Sequence, residues 1–215
     1  MKNEFSKRLV SSIILLPIIF LIIIYGSYYF ILLLIICFFL SCYEWHLMSF
    51  KKPYYFIGLI YLMLSFITVY KIRTDINGEY IFFLFIISIC ILTDIGGYIF
   101  GRILKGRKLT KFSPNKTYAG VLGGYFFSLF SILLLYFFKI TNPSILTNMF
   151  LFIILISTIS QIGDIVISYF KRISKIKNTG KIIPGHGGLL DRIDGMIFAF
   201  PFAYLIMFND FFNKF

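Results

Sequence analysis

Residues Tyr28–Met48 read YYFILLLIICFFLSCYEWHLM, a run of apolar and aromatic residues interrupted by one carboxylate, Glu44, and one histidine, His46. A helix needs about 20 predominantly apolar residues to cross the hydrocarbon core of a bilayer, and this stretch supplies them. Similar runs recur along the chain. The 215 residues are 59% hydrophobic and 14% charged, and the apolar residues come in unbroken runs rather than amphipathic stripes. That composition lies outside the range of soluble globular domains. The expected fold is an all-α polytopic membrane protein with about seven transmembrane helices, near 9–25, 28–48, 54–70, 80–100, 118–138, 145–168 and 195–208. No internal repeat or linker is evident, so residues 1–215 are expected to form a single integral membrane domain.

The first span is apolar for too long, and lacks the small-residue cleavage site, to read as a removable signal peptide; residues 1–8 then cap a retained helix. The fourth and sixth spans each carry an aspartate and internal glycine, so re-entrance of one of them stays open beside a full crossing. Basic residues set the orientation. With the N-terminus cytoplasmic, only Lys71, Arg73, Lys139 and Lys214 of the 21 Lys and Arg fall outside. Segments 101–117 and 171–192 carry six each: Arg102, Lys105, Arg107, Lys108, Lys111 and Lys116, then Lys171, Arg172, Lys175, Lys177, Lys181 and Arg192. Topology and anionic headgroups account for part of the net charge of +12. Six cations in one short loop go further and point to a polyanionic ligand, with nucleic acid disfavoured because these loops hug the membrane. Cys37, Cys42 and Cys90 lie within spans without metal-like spacing and read as buried apolar residues.

Five of the nine acids, Glu44, Asp94, Asp164, Asp191 and Asp194, fall at the cytoplasmic ends of spans in this topology. A carboxylate within the membrane marks a functional site, a metal or a buried partner, a structural ion pair being the alternative for any one of them. Gln161, Asp164, Ser168 and Lys171 follow one another at helical spacing and share a stripe. Asp191 and Asp194 would share a face in the first turn of the last helix, where the helix dipole alone also favours them. Carboxylates near clustered cations suit Mg²⁺ bound through one or two carboxylates plus substrate phosphates. In PGHGGLLDRIDG, Pro184–Gly195, the glycines around His186 would let backbone N–H groups approach a phosphate. No second His or Cys accompanies His186 as a zinc site would require. In the 101–117 loop, Gly101 and Gly106 have Walker A spacing, but Arg107 and Lys108 replace its Lys and Ser/Thr. Its SPNKT, Ser113–Thr117, reads as a turn, with Lys116 and Thr117 either phosphate contacts or part of a solvated basic loop.

The run SYFKRISKIKNTGKIIPGHGGLLDRIDG resembles the signature of the phosphatidate cytidylyltransferases, also called CDP-diacylglycerol synthases. Ser168, Lys171, Arg172, Lys177, Pro184, Gly185, His186, Gly187, Gly188, Asp191, Arg192 and Asp194 match it. Gln161, Gly163 and Asp164 resemble the family's Gln-x-Gly-Asp. Asp94, Tyr98, Gly101 and Arg102, then Ser113, Pro114, Lys116 and Thr117, resemble its earlier cytoplasmic segment, and Glu44 with Trp45 echoes another piece. The resemblance covers residues 90–200. Asn178 departs from it where the family has Asp, as does Ile95 where a small hydroxyl residue is commoner. The chain is short for the family, so fewer N-terminal spans are expected.

The resemblance implies transfer of the cytidylyl group of CTP to phosphatidate, giving CDP-diacylglycerol and pyrophosphate for phospholipid synthesis. It implies Asp164 and Asp191 as metal ligands for Mg²⁺, with a second cation open. Ser168, Lys171, Arg172, Arg192 and Asp194 become catalytic candidates. Lys116, Thr117, Gly185, His186, Gly187 and Gly188 become substrate-binding candidates. The implied partners are CTP, phosphatidate and membrane lipids, with a homodimer among the assemblies open to the chain and no nucleic acid. The implied location is a bacterial-type inner membrane with the active site facing the cytoplasm. Alternatives are a CTP-dependent enzyme acting on another lipid, such as an isoprenoid alcohol kinase or an archaeal-type lipid cytidylyltransferase, and a lipid or anion transporter. Against transport stand the absence of paired-half symmetry and the placing of the acids at one end.

Overall fold

A computed structural model of the chain describes residues 17–74, 80–110, 113, 116–137, 143–180 and 187–208. Among them the regular structure is helical: α1 over 17–25, α2 Ser27–Ser49, α3 Tyr55–Thr74, α4 Tyr80–Ile103, α5 Tyr118–Ser128, α6 Ile132–Phe137, α7 Pro143–Ile173, α8 Leu190–Ile193 and α9 Met196–Phe208. An antiparallel bridge pairs Lys108 with Thr117.

Five helical stretches are long and apolar enough to cross a membrane: Ser27–Ser49, Tyr55–Thr74, Tyr80–Ile103, Tyr118–Phe137 and Asn148–Ile173. The chain is thus an all-helical polytopic membrane protein. Of the seven expected spans, residues 9–16 of the first lie outside the described residues. The last, α9, has 13 residues with Pro201 inside it, about 20 Å at 1.5 Å per residue, against a core of about 30 Å. The aspartate-bearing α4 and α7 are continuous helices of 24 and 31 residues, so both have the length of full crossings.

The fold groups into two compact units, Met1–Tyr70 with Phe170–Ile193, and Lys71–Tyr169 with Asp194–Phe215. In the first unit α2 and α3 form a helical hairpin. Trp45, 3% exposed, donates its indole N–H to the Tyr55 carbonyl at 3.0 Å, and packs edge-on against Phe170 at 5.3 Å. Ser174 donates its hydroxyl to the Met48 carbonyl at 2.7 Å, tying the chain after α7 to the end of α2.

In the second unit the close approach of α4 and α5 requires glycine. A Cβ at Gly96 would run into the Gly123 carbonyl oxygen, and one at Gly123 into the Phe100 side chain. Small residues at such a crossing let backbones approach where apolar burial against lipid supplies little drive. Phe85, Ile86, Ile89, Phe152, Ile153 and Ile156 form the buried core of α4 and α7, with Phe85 and Phe152 stacked at 6.1 Å. Thr117 starts α5 as its N-cap, its hydroxyl accepting the Gly120 N–H at 3.1 Å. Cys37, Cys42 and Cys90 are free thiols within helices, Cys90 buried and the other two half-buried.

Candidate active site

The second unit holds a cavity of about 330 Å³ lined by α4, α5, α7 and the loop before α5. Asp94, Tyr98, Ser113, Lys116, Thr117 and Asp164 are among its walls. Each gets there by simple means. Asp94 and Tyr98 are one helical turn apart on α4. Lys116 directly precedes the N-cap Thr117, and is fixed by the 2.8 Å bond from the Leu109 N–H to its carbonyl. Asp164 projects from α7 three residues after Gln161, another lining residue. Lys116 and Asp164 form an ion pair, their side chains 24% and 28% exposed. Ser168, 8% exposed, donates to Asp164 Oδ1 at 3.4 Å from one turn further along α7. Deeper in the unit the Thr93 and Ser157 hydroxyls lie 2.9 Å apart, and Gln161 donates its amide to Ser157 at 3.4 Å. Asp194 is buried, and its Oδ1 accepts the Gly195 N–H at 2.9 Å.

The first unit holds a second cluster of sequence-selected residues. Lys171 donates to Asp191 Oδ1 at 2.8 Å. The other oxygen, Oδ2, accepts the Thr179 N–H at 2.9 Å and the Gly188 N–H at 3.2 Å. Burial alone would raise the Asp191 carboxyl; the Lys171 hydrogen bond, the Thr179 N–H, the Lys171 charge and the Gly188 N–H outweigh it and hold the group below the ordinary carboxylate range. Gly187 has φ 91°, a conformation that side chains rarely adopt, and a Cβ there would sit 3.1 Å from Asp191 Oδ2 and 3.7 Å from Asn178. Asn178 therefore adds no second negative charge beside Asp191. Arg172 and Arg192 are exposed.

The expected site residues thus fall into two groups. Lys116, Thr117, Asp164, Ser168 and Asp194 belong to the second unit; Lys171, Arg172, Gly187, Gly188, Asp191 and Arg192 belong to the first. Gly185 and His186 lie outside the described residues. Thr117 serves as the helix cap while also lining the cavity, and the Gly188 N–H is engaged by an internal carboxylate. Thr93 and Ser157 escaped sequence reasoning, because lone hydroxyls inside apolar helices carry no pattern.

Two features bear on metal binding. Among the described residues no three His, Cys, Asp or Glu side chains cluster as a self-sufficient metal cage. Asp94 and Asp164 line one cavity, which fits a hard cation that takes one or two carboxylates and completes its shell with phosphate oxygens and water.

The model of the Cytidylyltransferase family matches residues 49–209. The chain is similar to the phosphatidate cytidylyltransferase of Staphylococcus haemolyticus (strain JCSC1435), 39% identical over 151 residues, which are 70% of this chain and 56% of that protein. The protein of the same name from Staphylococcus saprophyticus subsp. saprophyticus is 38% identical over the same shares of the two chains. That of Staphylococcus aureus (strain COL) is 37% identical, again over 70% and 56%. The chain spans just over half the length of these curated relatives. The matched stretch runs from the end of α2 to the end of α9 and takes in both clusters of polar residues, so the chain belongs to the cytidylyltransferase family.

Proposed function

We propose that the protein transfers the cytidylyl group of CTP to phosphatidate, releasing pyrophosphate. The observation that carries the reading is the cavity that places Asp94, Lys116 and Asp164 together within a unit of membrane-length helices. The names of the relatives support the choice of acceptor. A lipid phosphate and a nucleotide triphosphate are both anionic, so a site joining them must supply cations. It must also be open to lipid from the bilayer and to nucleotide from water.

In the proposed reaction an oxygen of the lipid phosphate forms a bond to the α-phosphorus of CTP. The bond from that phosphorus to the bridging oxygen breaks, and pyrophosphate leaves with the electron pair. Lys116 offsets phosphate charge and holds the nucleotide in line for attack, and Ser168 orients Asp164 through its hydrogen bond. In the other unit Lys171, held by Asp191, carries an ammonium suited to phosphate, and Arg172 and Arg192 are exposed. Asp94 and Asp164 would hold Mg²⁺. That ion, when bound, supplies Lewis-acid neutralisation of the phosphate oxygens. The resemblance implies Asp191 for the metal as well; because its oxygens bond Lys171 and two backbone N–H groups, we propose that it holds that segment. The bias of Lys and Arg toward 101–117 and 171–192 supports a site facing the cytoplasm in a bacterial-type inner membrane.

The test is direct. Membranes containing the chain, given phosphatidate, labelled CTP and Mg²⁺, are expected to form labelled CDP-diacylglycerol, and Asp164→Ala to abolish it. Labelled product with a different lipid acceptor, and none with phosphatidate, would move the assignment to a related CTP-dependent enzyme.

A further inference from the structure

Glu44 stands on α2, one of the apolar membrane-length helices, with 0% of its surface exposed. It lies outside residues 49–209, the stretch that carries the family match. An ionisable side chain in such a place is costly and calls for an account of its partners. Those partners are all donors. Oε2 accepts the Thr179 hydroxyl at 2.7 Å and the Leu190 N–H at 2.8 Å, while Oε1 accepts the Leu189 N–H at 2.8 Å. An ionised carboxylate is acceptor-only and satisfies all three; a glutamine would turn its NH₂ toward at least one of them.

The chain opposite is shaped to receive this group. A Cβ at Gly188 would collide with the Thr179 hydroxyl and with Glu44 Oε2, and one at Gly180 would lie 2.7 Å from Glu44 Oε1. Thr179 is held twice, by its hydroxyl on Glu44 and by its N–H on Asp191. The Gly188 N–H on Asp191 is followed by the Leu189 and Leu190 N–H groups on Glu44. Two carboxylates therefore take up four backbone N–H groups and one hydroxyl from the segments on either side of residues 181–186.

We propose that Glu44 is a positioning residue: a buried carboxylate that clamps Thr179 and the Leu189–Leu190 backbone to α2 and so fixes the Asp191–Lys171 pair for phosphate chemistry. The turnover part rests on the proposed function; the clamp does not.

The experiment compares the detergent-solubilised full chain with Glu44→Gln, Thr179→Val, Thr179→Ser and a control, Ser41→Ala. Ser41 lies one turn away on α2 and bonds the Cys37 carbonyl at 2.7 Å within its own helix. Amide hydrogen exchange is read by mass spectrometry, and turnover with CTP and phosphatidate beside it. Glu44→Gln should speed exchange over 187–190 by on the order of tenfold, the loss of about 1.4 kcal/mol of local protection, and leave peptides of α4 and α7 unchanged. It should lower kcat by about the same factor with KM for CTP nearly unchanged. Thr179→Val should show a smaller effect in the same direction, Thr179→Ser should restore wild-type behaviour, and Ser41→Ala should do neither. Should Glu44→Gln fail to fold, the Thr179 pair decides by itself. Unchanged exchange over 187–190 overturns the clamp, and faster exchange with wild-type kcat overturns the positioning role. A wild type with protected amides but no product from phosphatidate sinks the proposed reaction and leaves the clamp standing.

Discussion

Lys116, from the loop before α5, and Asp164, from the middle of α7, form a half-exposed ion pair inside the cavity that Asp94 and Tyr98 also line. At this exposure the pair is worth little to stability, since solvent-screened pairs contribute about 0–1 kcal/mol. Its expected value is chemical. Lys116→Met should lower turnover by about 10² to 10³, the usual loss when one charged group aimed at a phosphate is removed, while the thermal midpoint in detergent moves little. The two residues touch, so Lys116→Met and Asp164→Asn together should cost far less than the product of the single losses. A strictly multiplicative double variant would show that they act separately.

The cavity also makes a prediction about metal. If Asp94 and Asp164 hold the ion, Asp94→Asn and Asp164→Asn should each raise the Mg²⁺ concentration for half-maximal turnover, by on the order of tenfold for a ligand lost from an open site. Asp191→Asn should lower turnover without moving that midpoint. A Mg²⁺ titration on the three variants decides it, and a shifted midpoint in Asp191→Asn would return Asp191 to the metal. Chelation of divalent cations should stop the wild type, and added Mg²⁺ should restore it.

Much of this architecture is legible in the sequence because a bilayer leaves few choices: an apolar run of about 20 residues has to be a helix. The expected spans at 28–48, 80–100 and 118–138 fall within a few residues of the helices. The seventh, 195–208, coincides with α9, whose 13 described residues include Pro201; apolarity alone says nothing of how far such a helix reaches. The stripe of Asp164, Ser168 and Lys171 was readable from spacing. The pairing of Lys116 with Asp164 was not, because it joins a loop to a distant helix. Glu44 stood out as a charge in grease, but its partners are mostly backbone N–H groups, and these leave no trace in the residue types.

The α4–α5 crossing allows a contrast within one glycine pair. A Cβ at Gly96 would strike the Gly123 carbonyl, whereas one at the adjacent Gly97 would lie 3.6 Å from the Gly120 carbonyl, an ordinary contact. Gly96→Ala should therefore cost about 1–3 kcal/mol, as overpacking does, and lower the thermal midpoint of the solubilised chain. Gly97→Ala should leave it nearly unchanged, or raise it slightly through the greater helix propensity of alanine. Equal midpoints for the two would mean that α4 and α5 do not approach this closely.

The hydrogen bonds of Asp191 predict a direction for stability against pH. Its folded value lies below the ordinary one, whereas the unfolded chain titrates at about 3.9. Below the unfolded value the unfolded state takes up a proton that the folded state resists, so stability falls as pH falls. The contribution is therefore fully present above pH of about 5 and is lost as pH drops through 4 toward the lowered folded value. Other carboxylates titrate in the same range, so the measurement is a difference. Thermal midpoints of wild type and Asp191→Asn, followed from pH 7 to pH 3 with chelator present, should be well separated at neutral pH and converge below pH of about 4. A gap that stays constant through that range would mean that Asp191 stabilises the segment by packing alone, and that the Lys171, Thr179 and Gly188 bonds contribute nothing specific to its charge.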